Sequence, residues 1–76
     1  MTRKEWRHNF SLRLRQLLID EGISQAELSE IIGVSGATIS NYINEKQMPT
    51  IEVIMNMAYE FKVTIDDLID FGEPVY

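Results

Sequence analysis

Cysteine is absent from the 76 residues, which excludes disulfides and thiolate metal sites together. The one histidine, His8, cannot build a metal site by itself, and it reads as an exposed, inert side chain. Basic residues are scarce. Seven lysines and arginines face twelve acids, for a net charge of −5, the reverse of the usual balance in a nucleic-acid binder. No apolar run approaches the roughly 18 residues of a membrane span. The charged opening MTRKEWRH has no signal-peptide character, so the expectation is a cytoplasmic protein. Internal repeats, low-complexity segments and linkers are missing too, which makes residues 1–76 one small domain. A chain of this size buries only about 60% of the surface its unfolded form exposes, so its stability is modest without a partner subunit. No nucleophile–base pair or phosphate-binding glycine loop occurs, and nothing points to an enzyme, a cofactor or a small-molecule effector.

The few bases are unevenly placed. Residues 1–19 hold Arg3, Lys4, Arg7, Arg13 and Arg15 against Glu5 alone, whereas residues 20–76 hold Lys46 and Lys62 against eleven acids. Such a dipolar molecule can present one positive face to phosphate while the rest repels it.

Residues 24–44, SQAELSEIIGVSGATISNYIN, organise the chain. Ser24 stands three residues before Glu27, the spacing of a capping box. Leu28, Ile31 and Ile32 then mark one helical face, and Gly33 offers the left-handed conformation that often ends a helix. Ser35 can cap a second helix, whose apolar positions Ile39, Tyr42 and Ile43 again fall at helical spacing. Two short helices separated by about three residues with a glycine between them have the arithmetic of a helix-turn-helix, whose second helix enters the DNA major groove. With its apolar positions turned inward, that helix leaves Ser35, Gly36, Thr38, Ser40, Asn41 and Asn44 toward solvent or DNA.

The segment SQAELSEIIGVSGATIS closely resembles the helix-turn-helix of the phage-repressor and Cro-like regulators, the XRE family. LRLRQLLIDEGIS resembles that family's first helix and MPTIEVIMNMAYEFKVTIDDLI its fourth and fifth, so the likeness spans residues 10–70. It implies an all-α fold, a compact five-helix bundle of the lambda-repressor-like DNA-binding type, with double-stranded operator DNA as partner. It also implies that Gln25 contacts the DNA backbone or a neighbouring base edge. Ser35, Gly36, Ala37 and Asn41 occupy positions that approach bases or adjacent phosphates, and Lys46 and Gln47 lie where the family's loop touches phosphate. Arg13 and Arg15 are further candidates from the basic segment. The sequence departs from the family at Gly36, where relatives often carry a long arginine or glutamine. Of the residues present, Asn41 is the best suited to a two-bond contact, most naturally with adenine, while Ala37 suits a thymine methyl. Leu18 and Ile43 replace an arginine–glutamate pair common in the family. That joint change makes physical sense if the two positions touch. Glu45 stands where relatives usually have glycine, so Asn44 or Glu45 must make the turn, and asparagine accepts left-handed geometry more readily.

The first helix is expected from about residue 4 to Glu21, with Trp6, Phe10, Leu14, Leu17 and Leu18 along one stripe and Gly22 as its stop. Trp6 serves either the core or a dimer contact. Thr50 is expected to cap a fourth helix with Ile51, Ile54, Met55, Ala58 and Phe61 inward and Val53 and Met57 outward. Val53 and Met57, with Phe71, Val75 and Tyr76 of the C-terminal segment, then form the expected homodimer interface. A fifth helix begins at Thr64, with Asp66 and Asp67 favoured in its first turn by the helix dipole rather than as a metal pair. The reading that results is a sequence-specific transcriptional regulator, a repressor acting as a dimer. Its rival is a protein-interaction module that keeps the fold without specific DNA binding, favoured by Gly36 and the acidic net charge.

Overall fold

A computed structural model describes residues 2–69. It contains five helices: α1 (Arg3–Glu21), α2 (Gln25–Ile32), α3 (Gly36–Ile43), α4 (Ile51–Phe61) and α5 (Ile65–Leu68). Each begins at a hydroxyl side chain. Thr2, Ser24, Ser35, Thr50 and Thr64 accept hydrogen bonds from the backbone N–H groups of Glu5, Glu27, Thr38, Val53 and Asp67, which satisfies one of the orphan donors at each helix start. At α2 the carboxylate of Glu27 reaches back to the Ser24 N–H, completing the capping box; Asp67 does the same for Thr64 at α5. Gly22 (φ 64°) and Gly33 (φ 72°) end α1 and α2 in the left-handed conformation.

One core holds the helices together. Phe10, Leu14 and Leu17 of α1 meet Leu28 and Ile32 of α2, Ile39, Tyr42 and Ile43 of α3, Val53, Ile54 and Met57 of α4, and Leu68 of α5. The Trp6 ring stacks on Phe10 at 5.6 Å between centroids, and Phe10 meets Tyr42 edge-on at 5.8 Å, both favourable aromatic geometries. Trp6 is therefore partly buried at the end of the core stripe. Burial pushes the pKa of the Tyr42 hydroxyl above its ordinary value.

The orientation of α4 differs from the expectation. Val53 and Met57 are 7% and 0% exposed and belong to the core, whereas Ile51 and Met55 are 65% and 55% exposed. Val53 and Met57 therefore form no dimer surface. The helix carries two apolar stripes: Val53, Ile54, Met57, Ala58 and Phe61, and Ile51, Met55 and Tyr59 at four-residue spacing. The broader stripe covers more of the apolar surface offered by α2 and α5, against which α4 packs. Phe71, Val75 and Tyr76 lie outside the described residues. On α2, Ile31 is likewise exposed, leaving Leu28 and Ile32 as the buried pair.

Among the described residues, two other than glycine take positive φ, Glu45 (63°) and Lys62 (54°). Lys62 ends α4 as a left-handed cap, donating its N–H to the Ala58 carbonyl. That conformation costs an L-residue about 1–2 kcal/mol, so Lys62→Gly is expected to raise stability by up to about 1 kcal/mol, read as a higher urea midpoint at unchanged slope.

Candidate nucleic-acid interface

The tight turn at Gly33 sets α3 against α2: the Gly33 and Val34 N–H groups both return to the Ser29 carbonyl. Ile39, Tyr42 and Ile43 then anchor α3 in the core. This orientation exposes Ser35, Gly36, Ala37 and Asn44, with Thr38, Ser40 and Asn41 half-buried beside them. Gln25 is exposed in the first turn of α2, and Lys46 and Gln47 are exposed in the segment that follows α3. A Cβ built on Gly36 meets nothing within 4 Å, so packing does not demand a glycine there.

The polar side chains of α3 are joined in pairs. Ser35 and Thr38 share a 2.8 Å hydrogen bond between hydroxyls. Asn44 donates from Nδ2 to the Ser40 hydroxyl at 3.2 Å, and Asn41 donates from Nδ2 to Oε1 of Gln47 at 3.2 Å. The chain leaves α3 through a sharp reversal in which Asn44 stays at φ −90° and Glu45 takes the left-handed position. This reverses the expectation that asparagine would make the turn. Glu45 is held by its surroundings: its N–H reaches the Tyr42 carbonyl, and its carboxylate lies 3.1 Å from Nδ1 of His8 on α1. His8 is thus exposed but engaged. The reversal returns Lys46, whose N–H donates to the Asn41 carbonyl at 2.8 Å.

On α1, Arg15 was a candidate from the sequence, whereas the part played by Ser11 was not evident from residue types. Ser11 is 1% exposed and donates to the Ile43 carbonyl at 2.6 Å. Arg15 reaches the same carbonyl at 3.3 Å and the Ser11 hydroxyl at 3.4 Å. A guanidinium at the negative end of α3 is favourably placed. A serine four residues before an arginine on a helix is a weak signal, because only the approach of α3 gives it meaning. Lys4, Arg7, Ser11 and Arg15 share one stripe of α1, at three- and four-residue steps, and Ser11 and Arg15 are the members that meet the C-terminal end of α3. Arg13 is two residues from both Ser11 and Arg15, about 200° around the helix. It lines a shallow groove between α1 and α5 with Gln16, Leu17, Asp20, Val63, Asp67 and Leu68. Arg13 thus lies on a different side of α1 from Arg15, which meets the Ile43 carbonyl, while Asn41 is joined to Lys46 and Gln47 by hydrogen bonds.

Among the described residues, no three His, Asp or Glu side chains gather as a metal site, and no helix is long and apolar enough to cross a membrane. A family model described as helix-turn-helix matches residues 14–68, from the middle of α1 to the end of α5. No curated protein and no solved structure matches the chain.

Proposed function

The chain belongs to the XRE family of phage-repressor and Cro-like helix-turn-helix regulators, and from that membership we propose that it is a transcriptional repressor binding a pseudo-palindromic operator as a homodimer. The observation that carries the proposal is the presentation of α3. Its apolar side is locked in the core, and its outer side shows only short polar or small residues. Such a helix can approach the floor of the major groove closely. In this reading Asn41 pairs with adenine through N6 and N7, Ala37 packs on a thymine methyl, and Thr38, Ser40 and Asn44 give weaker polar contacts. Gln25, Ser35, Arg15, Lys46 and Gln47 hold the register through phosphates.

Few strong base contacts are available in one copy, so affinity calls for two-fold repetition. The second copy is assigned to the outer stripe of α4, Ile51, Met55 and Tyr59, with Tyr59 82% exposed. Met55 stands midway between the other two, so an antiparallel α4 pair centred on Met55 sets Ile51 of each copy against Tyr59 of the other, as an isologous contact requires. α4 packs against α2 and α5, while α3 packs against α1 and α2, so covering this stripe leaves α3 open.

A mobility-shift titration on the DNA upstream of the gene, at several salt concentrations, tests the proposal. Saturable binding that competitor DNA of unrelated sequence does not abolish is expected. Lys46→Ala should weaken binding to every duplex alike and flatten the salt dependence by about one unit. The net charge of −5 and the bare Gly36 backbone favour a protein-docking module instead, and that reading is selected if no duplex is bound even at low salt.

A further inference from the structure

We propose that Gln47, outside the reading helix, is a positioning residue that sets the adenine preference of Asn41; this rests on the DNA-binding reading above. The observation is the 3.2 Å hydrogen bond from Nδ2 of Asn41 to Oε1 of Gln47. A side-chain amide carries one acceptor oxygen and two N–H donors. The two-bond contact with adenine uses the oxygen, which accepts from N6, and one N–H, which donates to N7. The other N–H is left over, and Gln47 supplies an acceptor for it. With that bond made, the amide cannot rotate freely about its terminal torsion, and its oxygen and remaining N–H keep a fixed order along the groove. A free amide has to be ordered on binding, which lowers affinity for the right base more than for the wrong ones.

The position of Gln47 is itself built. The left-handed Glu45 reverses the chain, the Lys46 N–H closes on the Asn41 carbonyl at 2.8 Å, and the Glu45 carboxylate meets His8 at 3.1 Å. Asn41 is therefore gripped through both its carbonyl and its side chain by two consecutive residues of one turn. A phosphate-contacting loop needs no such grip on a base-reading side chain. The arrangement makes the α3–α4 turn part of the specificity of the reading helix.

The test is selection from a library of fully randomised duplexes, with wild type, Asn41→Ala, Gln47→Met and Gln47→Glu compared for base preference at each position. Methionine keeps the length of Gln47 but replaces its amide oxygen with a weakly accepting thioether, whereas glutamate keeps a strong acceptor and adds a charge that phosphate repels. Wild type should enrich adenine at one position per half-site, and Asn41→Ala should reduce that preference by about tenfold. Gln47→Met should reduce the same preference by about threefold or more, and should change nothing further when added to Asn41→Ala. Gln47→Glu should bind all duplexes more weakly yet retain the preference. Thermal midpoints matching wild type exclude a folding defect at this exposed residue. If Gln47→Met weakens all duplexes equally and leaves the adenine preference intact, Gln47 is a phosphate contact only and the inference is overturned. Flattening by Gln47→Glu as well would overturn it, because an acceptor is then not what matters. Failure of wild type to enrich any sequence, or an adenine preference unchanged in Asn41→Ala, overturns instead the underlying DNA reading.

Discussion

Met57→Glu should abolish cooperative unfolding, while Met55→Glu, two residues away on the same helix, should melt within a few degrees of wild type. Met57 is 0% exposed within the core, whereas Met55 is 55% exposed on the outer stripe of α4. An unpaired carboxylate at the first position costs several kcal/mol even after relaxation. Small domains have about 5 kcal/mol of stability in all, so the substitution consumes most of it. At the second position the carboxylate stays in water, and glutamate is as good a helix former as methionine. Circular dichroism against temperature reads both outcomes, and a Met57→Glu protein that folds like wild type would contradict the placement of the α4 core face. The same pair of variants separates folding from assembly. In sedimentation at tens of micromolar, wild type should be dimeric and Met55→Glu a folded monomer. A monomeric wild type, or a Met55→Glu that dimerises unchanged, would remove the α4 stripe from the proposed interface.

Local chemistry made most of the framework legible. Ser24 with Glu27, Gly33, Ser35 and Thr50 are start and stop signals whose physics lies within four residues of chain. The structure uses each of them as such. What could not be read locally was the choice between two compatible solutions. α4 offers two adjoining apolar stripes, their centres about 130° apart around the helix, and only the packing of α2 and α5 against it decides which is buried. Tyr59, four residues beyond Met55 and 82% exposed, is the position whose spacing groups Ile51 and Met55 with it on the outer stripe. The same limit applies to Glu45. Intrinsic preference favours Asn44 in the left-handed position, but Glu45 takes it, with its N–H on the Tyr42 carbonyl and its carboxylate against His8 of α1, 37 positions away in sequence; an exposed contact of this kind offsets only part of the local cost. Ser11 and Arg15 acquire their roles in the same way, from a carbonyl 32 and 28 residues away. Arg13 differs from Arg15 only by its angle on α1. Clustering of basic residues in sequence could not separate the two, because residues two apart on a helix do not face each other.

The joint presence of Leu18 and Ile43 leads to the second large effect. Ile43 is 6% exposed, and Leu18 is partly buried against the same core. Ile43→Glu buries a carboxylate near the C-terminal end of α3, where the helix dipole disfavours negative charge. A loss of about 3 kcal/mol is expected, held to that figure by Arg15, whose guanidinium already lies 3.3 Å from the residue 43 carbonyl. Leu18→Arg should cost less, about 1–2 kcal/mol, because its aliphatic stem still covers apolar surface while the guanidinium reaches for water. If the two positions touch, the double variant regains at least about 1 kcal/mol relative to the sum of the single losses, measured by urea unfolding of all four proteins. Repeating the cycle with Arg15→Ala identifies the partner of the new carboxylate. A Leu18→Arg rescue that grows when Arg15 is absent shows that the two arginines compete for one site. Losses that add to within about 0.5 kcal/mol would place residues 18 and 43 out of reach of each other. The pairing of two apolar residues would then owe nothing to a shared contact between α1 and α3.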